Sequence, residues 1–185
     1  MDRSFLEKNF LSDKEARNYS KKLFNALQSG EAYRDEQCPK SESFYNLNAF
    51  EELKDEVREF IEKKTNTNLV STYTYSRIYR KAEILEKHID RKACEYSATL
   101  TLDYSGNKPW NFFVKDSKNI CIEIDRGDIL IYKGMEIPHW REKLLDEWQT
   151  QVFLHYSSSQ KNEIKKQEEL NKALVSLYNK SQLED

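Results

Sequence analysis

Apolar residues recur at helical spacing in the first third of the chain and give way to strand-like runs near Leu69. Ser12-Asp13-Lys14-Glu15 places a hydroxyl at an N-cap and a carboxylate three residues on, the arrangement of a capping box. Ala16, Tyr19, Leu23 and Leu27 then fall on one helical face, and Gly30 supplies a stop. Asn48 to Glu51 repeats the capping pattern. Phe50, Leu53, Val57, Phe60 and Ile61 make a second apolar stripe, with charges on the opposite face. Between these predicted helices, residues 30–47 are polar and irregular, suited to a lid that orders over a site.

Val70 to Tyr79 is dense in β-branched and aromatic residues, as strands are. Similar runs follow at Tyr96 to Tyr104, Trp110 to Val114, Ile120 to Ile124, Asp128 to Tyr132 and Gln151 to Tyr156. Turn-forming Ser105-Gly106-Asn107, Asp116-Ser117 and Arg126-Gly127-Asp128 separate them. Many short strands at close spacing predict a sandwich or barrel. Residues 160–185 are charged, lack Gly and Pro, and carry a weak stripe at Leu170, Ala173, Leu174 and Leu177. That predicts a C-terminal helix docked on the domain or on a second copy; a frayed, solvated tail fits the same pattern. The expected layout is one α+β domain over 1–185 with a mainly β core: supporting helices in 1–68, the β core in 69–157 and a helix in 160–185.

Composition narrows the partners. Of 185 residues, 32 are acidic and 30 basic, a formal net charge of −2, so no long-range field toward nucleic acid or an anionic membrane is expected. No run of about 18 apolar residues occurs, so no transmembrane helix is expected, and Met1 to Lys8 lacks the apolar core of a signal peptide. Cys38, Cys94 and Cys121 are odd in number and show no C-x-x-C spacing, which fits reduced thiols in a cytoplasmic protein. Four glycines leave no phosphate-cradling loop, and the Walker, dinucleotide and nucleophile-elbow motifs are absent. Lys21-Lys22, Lys63-Lys64 and Lys165-Lys166 are short and interleaved with Glu, as on solvated helix faces.

Three histidines carry the candidate chemistry. In His88-Ile89-Asp90 an extended backbone puts both outer side chains on one face. His139 follows the strand-like run Asp128 to Tyr132. Two histidines and one carboxylate from two strands form the facial triad of non-haem iron oxygenases, with positions left open for cosubstrate and dioxygen. His155 alternates with Phe153 on the closing strand and reads first as a core or rim residue. Arg91 stands at the pocket rim or in solvent, and Trp110, Trp140 and Trp148 are either cleft or core aromatics.

The stretch from Tyr73 to Tyr156 resembles the double-stranded β-helix core (jelly roll, cupin-like) of 2-oxoglutarate/Fe(II)-dependent dioxygenases, above all the prolyl-4-hydroxylase-like branch. The residues that carry the resemblance are Arg77-Ile78-Tyr79, His88-Ile89-Asp90, Gly127 to Tyr132, His139 and Gln151 to Tyr156. The resemblance implies His88, Asp90 and His139 as iron ligands and catalytic centre, with Tyr79 hydrogen-bonded to 2-oxoglutarate. One departure stands out. The family carries an Arg or Lys about ten residues after the distal histidine, to hold the far carboxylate of 2-oxoglutarate, and here that position is Gln149. A desolvated carboxylate needs a cationic partner. Arg141 shares the face of His139 on an extended segment, Arg77 shares the face of Tyr79, and Lys133 is a third choice.

The resemblance implies an Fe(II)- and 2-oxoglutarate-dependent dioxygenase that hydroxylates a C–H bond of a peptidyl, conceivably prolyl, or small-metabolite substrate. Two other readings stay open: a cupin-like metalloprotein that does not use 2-oxoglutarate, and a non-catalytic β-barrel interaction module.

Overall fold

The computed structural model describes residues 3–158 together with Leu170, Asn171 and Val175. Helix α1 (Asp13–Gln28) opens with the predicted capping box. Ser12 Oγ accepts from the Glu15 backbone N–H at 3.3 Å, and the Ser12 N–H donates to the Glu15 carboxylate at 2.9 Å. Gly30, at φ +76°, turns the chain away after the helix. Helix α2 (Glu51–Thr65) opens differently from the expected cap at Asn48. A 3₁₀ turn, Asn48–Phe50, leads into it, and Phe50 stands at the N-cap with no side-chain cap bond. The turn's own backbone bond, Phe50 N–H to Leu47 C=O at 3.0 Å, forms there instead.

Among the described residues ten strands follow one another: β1 (Ser4–Glu7), β2 (Glu42–Tyr45), β3 (Val70–Arg80), β4 (Leu85–His88), β5 (Tyr96–Tyr104), β6 (Phe112–Lys115), β7 (Asn119–Ile122), β8 (Ile129–Tyr132), β9 (His139–Arg141) and β10 (Trp148–Ser157). They build two antiparallel sheets, ordered β1-β8-β5-β10-β3-β2 and β4-β9-β6-β7. From β3 onward the chain passes between the sheets repeatedly: β3, β5, β8 and β10 join the larger, and β4, β6, β7 and β9 the smaller. This winding is a double-stranded β-helix with two supporting helices.

β1, β2, β4 and β9 have three or four residues each, too few for a period-two signal, and tertiary pairing makes them strands. The N-terminal part expected to be helical therefore contributes β1 and β2 to the larger sheet. Residues 30–47, expected to be irregular, hold β2 and a Tyr33–Ser43 bridge.

The inner strands β3, β5, β8 and β10 divide their residues between two buried environments. Ile78, Ala98, Leu100, Leu102, Ile131, Val152, Leu154 and Tyr156 pack in one apolar core with Ala16, Leu23, Leu53, Val57 and Ile61 of the helices. The alternate residues on β3 and β10, Tyr73, Tyr75, Arg77, Tyr79, Phe153 and His155, line a cavity between the sheets. All three cysteines are free thiols, and no described helix is long and apolar enough to cross a membrane. Of the helix expected over 160–185, Leu170, Asn171 and Val175 are helical, and the remainder lies outside the described residues.

Candidate metal centre

His88 ends β4 and His139 begins β9, and the antiparallel register of these strands sets the two residues opposite each other. Their ring centroids are 4.3 Å apart. Asp90, two residues past His88, brings Oδ1 to 3.7 Å from His88 Nε2 and 3.5 Å from His139 Nε2. One donor atom from each of the three lies within 4.8 Å of the others. The extended H-x-D segment delivers the pair as the sequence predicted.

Both imidazoles are oriented alike. His88 Nδ1 donates to the Glu86 carbonyl at 2.7 Å, and His139 Nδ1 donates to the Ile137 carbonyl at 2.9 Å. A carbonyl only accepts, so the proton sits on Nδ1 and the Nε2 lone pair faces Asp90, the arrangement of a metal-binding histidine. Weak donors rest on these lone pairs: the Gln37 amide on His88 and the Tyr132 hydroxyl on His139, each at 3.4 Å. Burial, reinforced by the neighbouring His139, holds the His88 pKa below its ordinary value and favours the neutral form that ligates. Burial pushes the Asp90 carboxyl up, but His139 and the Ser97 hydroxyl outweigh it and keep Asp90 ionised.

Behind the triad lies a second row of contacts. Ser97 Oγ donates to Asp90 Oδ2 at 2.6 Å and lies 3.1 Å from His155 Nδ1. Ser97 has one proton and spends it on Asp90, so His155 Nδ1–H is the donor in the second contact. Burial lowers the His155 pKa to about 4, so the chain of donors runs from a neutral imidazole to the carboxylate. His155, read first as a core residue, thus holds the residue that orients Asp90. Replacing Ser97 with Ala would strand both the Asp90 oxygen and the His155 N–H. We expect Co(II) affinity to fall about 10–100-fold in S97A, and to recover in S97T, by spectroscopic titration. Equal affinities in S97A and the wild type would remove this orienting role.

Tyr79 lines the cavity, and Arg141, outside its lining, packs beside the cavity residue Phe112. Tyr79 is 0% exposed, and its hydroxyl has no hydrogen-bond partner among the described residues. Arg141, on β9, is also 0% exposed. Its Nη1 donates to the Trp110 carbonyl, while Nε and Nη2 have no partner. No carboxylate of the described residues lies within ion-pair distance of Arg141, and the rings of Trp110 and Phe112 flank it at 5.0 Å. Burial lowers its pKa to about 10, so it stays charged near neutrality.

Gln149 sits beside this group. Its Oε1 accepts from the Trp110 N–H at 2.7 Å, and its Nε2 donates to Gln151 at 3.0 Å. Position 149 is therefore a satisfied neutral node, and the buried cation nearby comes from the other sheet. Arg77 lines the cavity, but its donors are spent: on Asp35 at 2.6 Å, Gln37 at 2.9 Å, Ser43 at 3.1 Å and Cys38 at 3.0 Å. Lys133 turns to Glu95 at 3.5 Å and the Tyr96 ring.

The cavity beside the triad measures about 760 Å³. Trp140 and Trp148 pack on Phe113 and Phe24, and neither they nor Trp110 line it. Tyrosines supply its wall instead: Tyr33, Tyr45, Tyr73 and Tyr75, with Phe153. The alternation of Tyr73, Tyr75, Arg77 and Tyr79 on a predicted strand could have identified these four lining residues. Asp35 and Gln37 had no such signal, because a loop brings them in; the Tyr75 hydroxyl and Arg77 hold Asp35 in place.

No family model matches the chain, and no curated protein matches it. Solved structures do. A Pseudomonas putida prolyl-4-hydroxylase aligns over 85% of this chain and 94% of its own, with TM-score 0.72 and 14% identity. A Trichoplax adhaerens prolyl hydroxylase, in complex with a peptide fragment of the hypoxia inducible factor oxygen degradation domain, aligns over 92% of this chain and 87% of its own, with TM-score 0.72 and 15% identity. HygX from Streptomyces hygroscopicus, with nickel and 2-oxoglutarate bound, aligns over 84% of this chain and 82% of its own, with TM-score 0.68 and 13% identity. The fold is that of the 2-oxoglutarate/Fe(II) oxygenases, several of them prolyl hydroxylases.

Proposed function

We propose that this chain is an Fe(II)- and 2-oxoglutarate-dependent oxygenase that hydroxylates a C–H bond of a peptidyl or small-molecule substrate. The observation that carries the reading is the convergence of His88 Nε2, His139 Nε2 and Asp90 Oδ1 on one point beside a cavity. Two neutral nitrogens and one carboxylate suit Fe(II) and leave coordination positions for other ligands. The orphaned buried donors support the cosubstrate. Arg141 Nε and Nη2 and the Tyr79 hydroxyl point no hydrogen bond at any described residue, and each is a donor that a carboxylate would suit.

Iron with bound 2-oxoglutarate and dioxygen supplies the oxidising power for hydroxylation, with succinate and carbon dioxide as co-products. The protein's part is positional. The Glu86 and Ile137 carbonyls keep both Nε2 lone pairs free for metal. Ser97 and His155 fix the Asp90 carboxylate. Arg141 offers charge and Tyr79 a hydroxyl to the far end of the cosubstrate. The tyrosine-rich wall keeps water from the reacting carbon and packs the substrate.

The test is anaerobic addition of Fe(II), then 2-oxoglutarate, to chelator-stripped protein. The expected result is a weak visible charge-transfer band that is missing in His88→Ala. Iron binding without the band would shift the reading to a cupin-like metalloprotein. No metal binding would end both enzyme readings.

A further inference from the structure

Arg91 follows the candidate ligand Asp90 directly and lines the same cavity. Its Nη2 donates to the Tyr73 hydroxyl at 3.2 Å, and its Nη1 donates to Asn171 Oδ1. The guanidinium carbon stands 5.7 Å from the centre of the Tyr73 ring. Tyr73 and Asn171 are 2% and 3% exposed, so two buried side chains hold the guanidinium in place. Tyr73 is itself braced by Tyr45, stacked at 5.4 Å, and by the Cys94 thiol at 3.1 Å.

Neither acceptor carries charge. Among the described residues no carboxylate lies within 4.0 Å of Arg91, whereas Arg77, the other arginine lining the cavity, is matched by Asp35 at 2.6 Å. Asp90 is committed to the triad and to Ser97. Glu36 also lines the cavity, but it is exposed and makes no ion pair with Arg91. A guanidinium fixed by neutral partners keeps its charge and part of its planar fork for an incoming oxyanion. One cation unmatched by any described carboxylate suits a monoanion, and a phosphate dianion would call for a second. The rest of the wall, Tyr33, Tyr45, Tyr75 and Phe153, suits an apolar body.

We propose that the cavity takes a substrate bearing a carboxylate, held by Arg91 where Tyr73 and Asn171 fix it, with an apolar or aromatic body against the tyrosine wall. This assigns a substrate class to the oxygenase reading and rests on it. Arg91 is a specificity residue here, distinct from the Arg141 site for the cosubstrate.

The experiment uses the full chain with Zn(II) and 2-oxoglutarate present, titrated with phenylpropionate, phenylpropionamide and phenyl phosphate. The readout is the nitrogen-15 NMR signal of the Arg91 Nε–H, assigned with R91K. The acid should bind about tenfold tighter than its amide and move that signal. In R91Q the preference should vanish, while the Fe(II)/2-oxoglutarate band stays as in the wild type. Equal binding of acid and amide, or no movement of the Arg91 signal at tens of millimolar, would overturn the proposal. So would loss of the band in R91Q, which would make the bound anion the cosubstrate, or tighter binding of the phosphate. A wild type that lacks the band yet prefers acid to amide would count against the oxygenase reading alone.

Discussion

Substituting Met for Arg141 is expected to abolish the visible band formed by iron and 2-oxoglutarate while leaving Fe(II) affinity intact, and to raise the stability of the metal-free protein. Two effects of opposite sign come from one feature. Arg141 is fully buried, charged and unpaired by any described carboxylate, with two nitrogens unpartnered. Each stranded donor costs on the order of 1–3 kcal/mol, and replacing a poorly matched buried ion with a well-packed apolar residue is often stabilising. Met matches the length of the aliphatic stem and fills the space between Trp110 and Phe112. The lost bond to the Trp110 carbonyl offsets part of the gain, so a net increase of about 1–2 kcal/mol is expected by denaturant unfolding. Cosubstrate affinity should fall at least about 100-fold, the value of a charge-assisted bidentate contact in a dry site. A variant that forms the band at wild-type concentrations of 2-oxoglutarate would remove Arg141 from the cosubstrate site.

The second large effect is expected at Gly134. A Cβ there would lie 2.3 Å from Asp90 Oδ2, 2.5 Å from Ser97 Oγ and 2.7 Å from the Cys94 carbonyl oxygen. The Gly134 carbonyl also accepts the Asp90 N–H at 2.9 Å, so the two backbones are tied at that point. The methyl of Ala cannot enter without pushing Asp90 off Ser97 and away from both histidines. Overpacking of this kind costs about 1–3 kcal/mol of stability, and a displaced ligand should weaken Co(II) binding by about 100-fold. Gly106 gives the contrast. Its added Cβ would meet the Asp146 carboxylate at 2.2 Å, but that is the free end of a surface side chain, which can swing aside. G106A should therefore bind metal as the wild type does. Equal metal affinity in G134A would show that Asp90 has room this geometry denies it.

The long strands were legible because they repeat a signal. Val70 to Arg80 and Tyr96 to Tyr104 run long enough for alternation to show, and the latter has its predicted bounds. The convergence of His88, Asp90 and His139 was legible for a related reason: H-x-D on extended backbone and a histidine after a strand need few assumptions about tertiary structure. The short strands β1, β2 and β9 were not legible, since their pairing partners lie far along the chain. Ser97, Thr99 and Thr101 alternate along β5 with the polarity of a solvent-facing half of a strand. Their hydroxyls instead face the space between the sheets, bonded to Asp90 and Gln151. Hydropathy reports polarity, and an enclosed reaction chamber has the same polarity as a wet surface. The hydrogen-bonding role of His155 was invisible for the same reason, because Ser97 supplies its partner from another strand.

The last strand of the described core, β10, lies in the middle of the larger sheet, between β3 and β5, which pair with it and not with each other. During synthesis the nascent chain therefore presents β3 and β5 to the ribosome exit and to chaperones with one edge each unmatched, until residues 148–157 emerge. No shorter product of translation contains the finished sheet, and none closes the cavity. Assembly is consequently a late, nearly all-or-none step of high contact order, slow by comparison with local helix formation. A stop codon anywhere before Trp148 should yield an aggregation-prone polypeptide rather than a smaller domain, with the candidate metal ligands, drawn from strands far apart in sequence, left without the sheet that backs them.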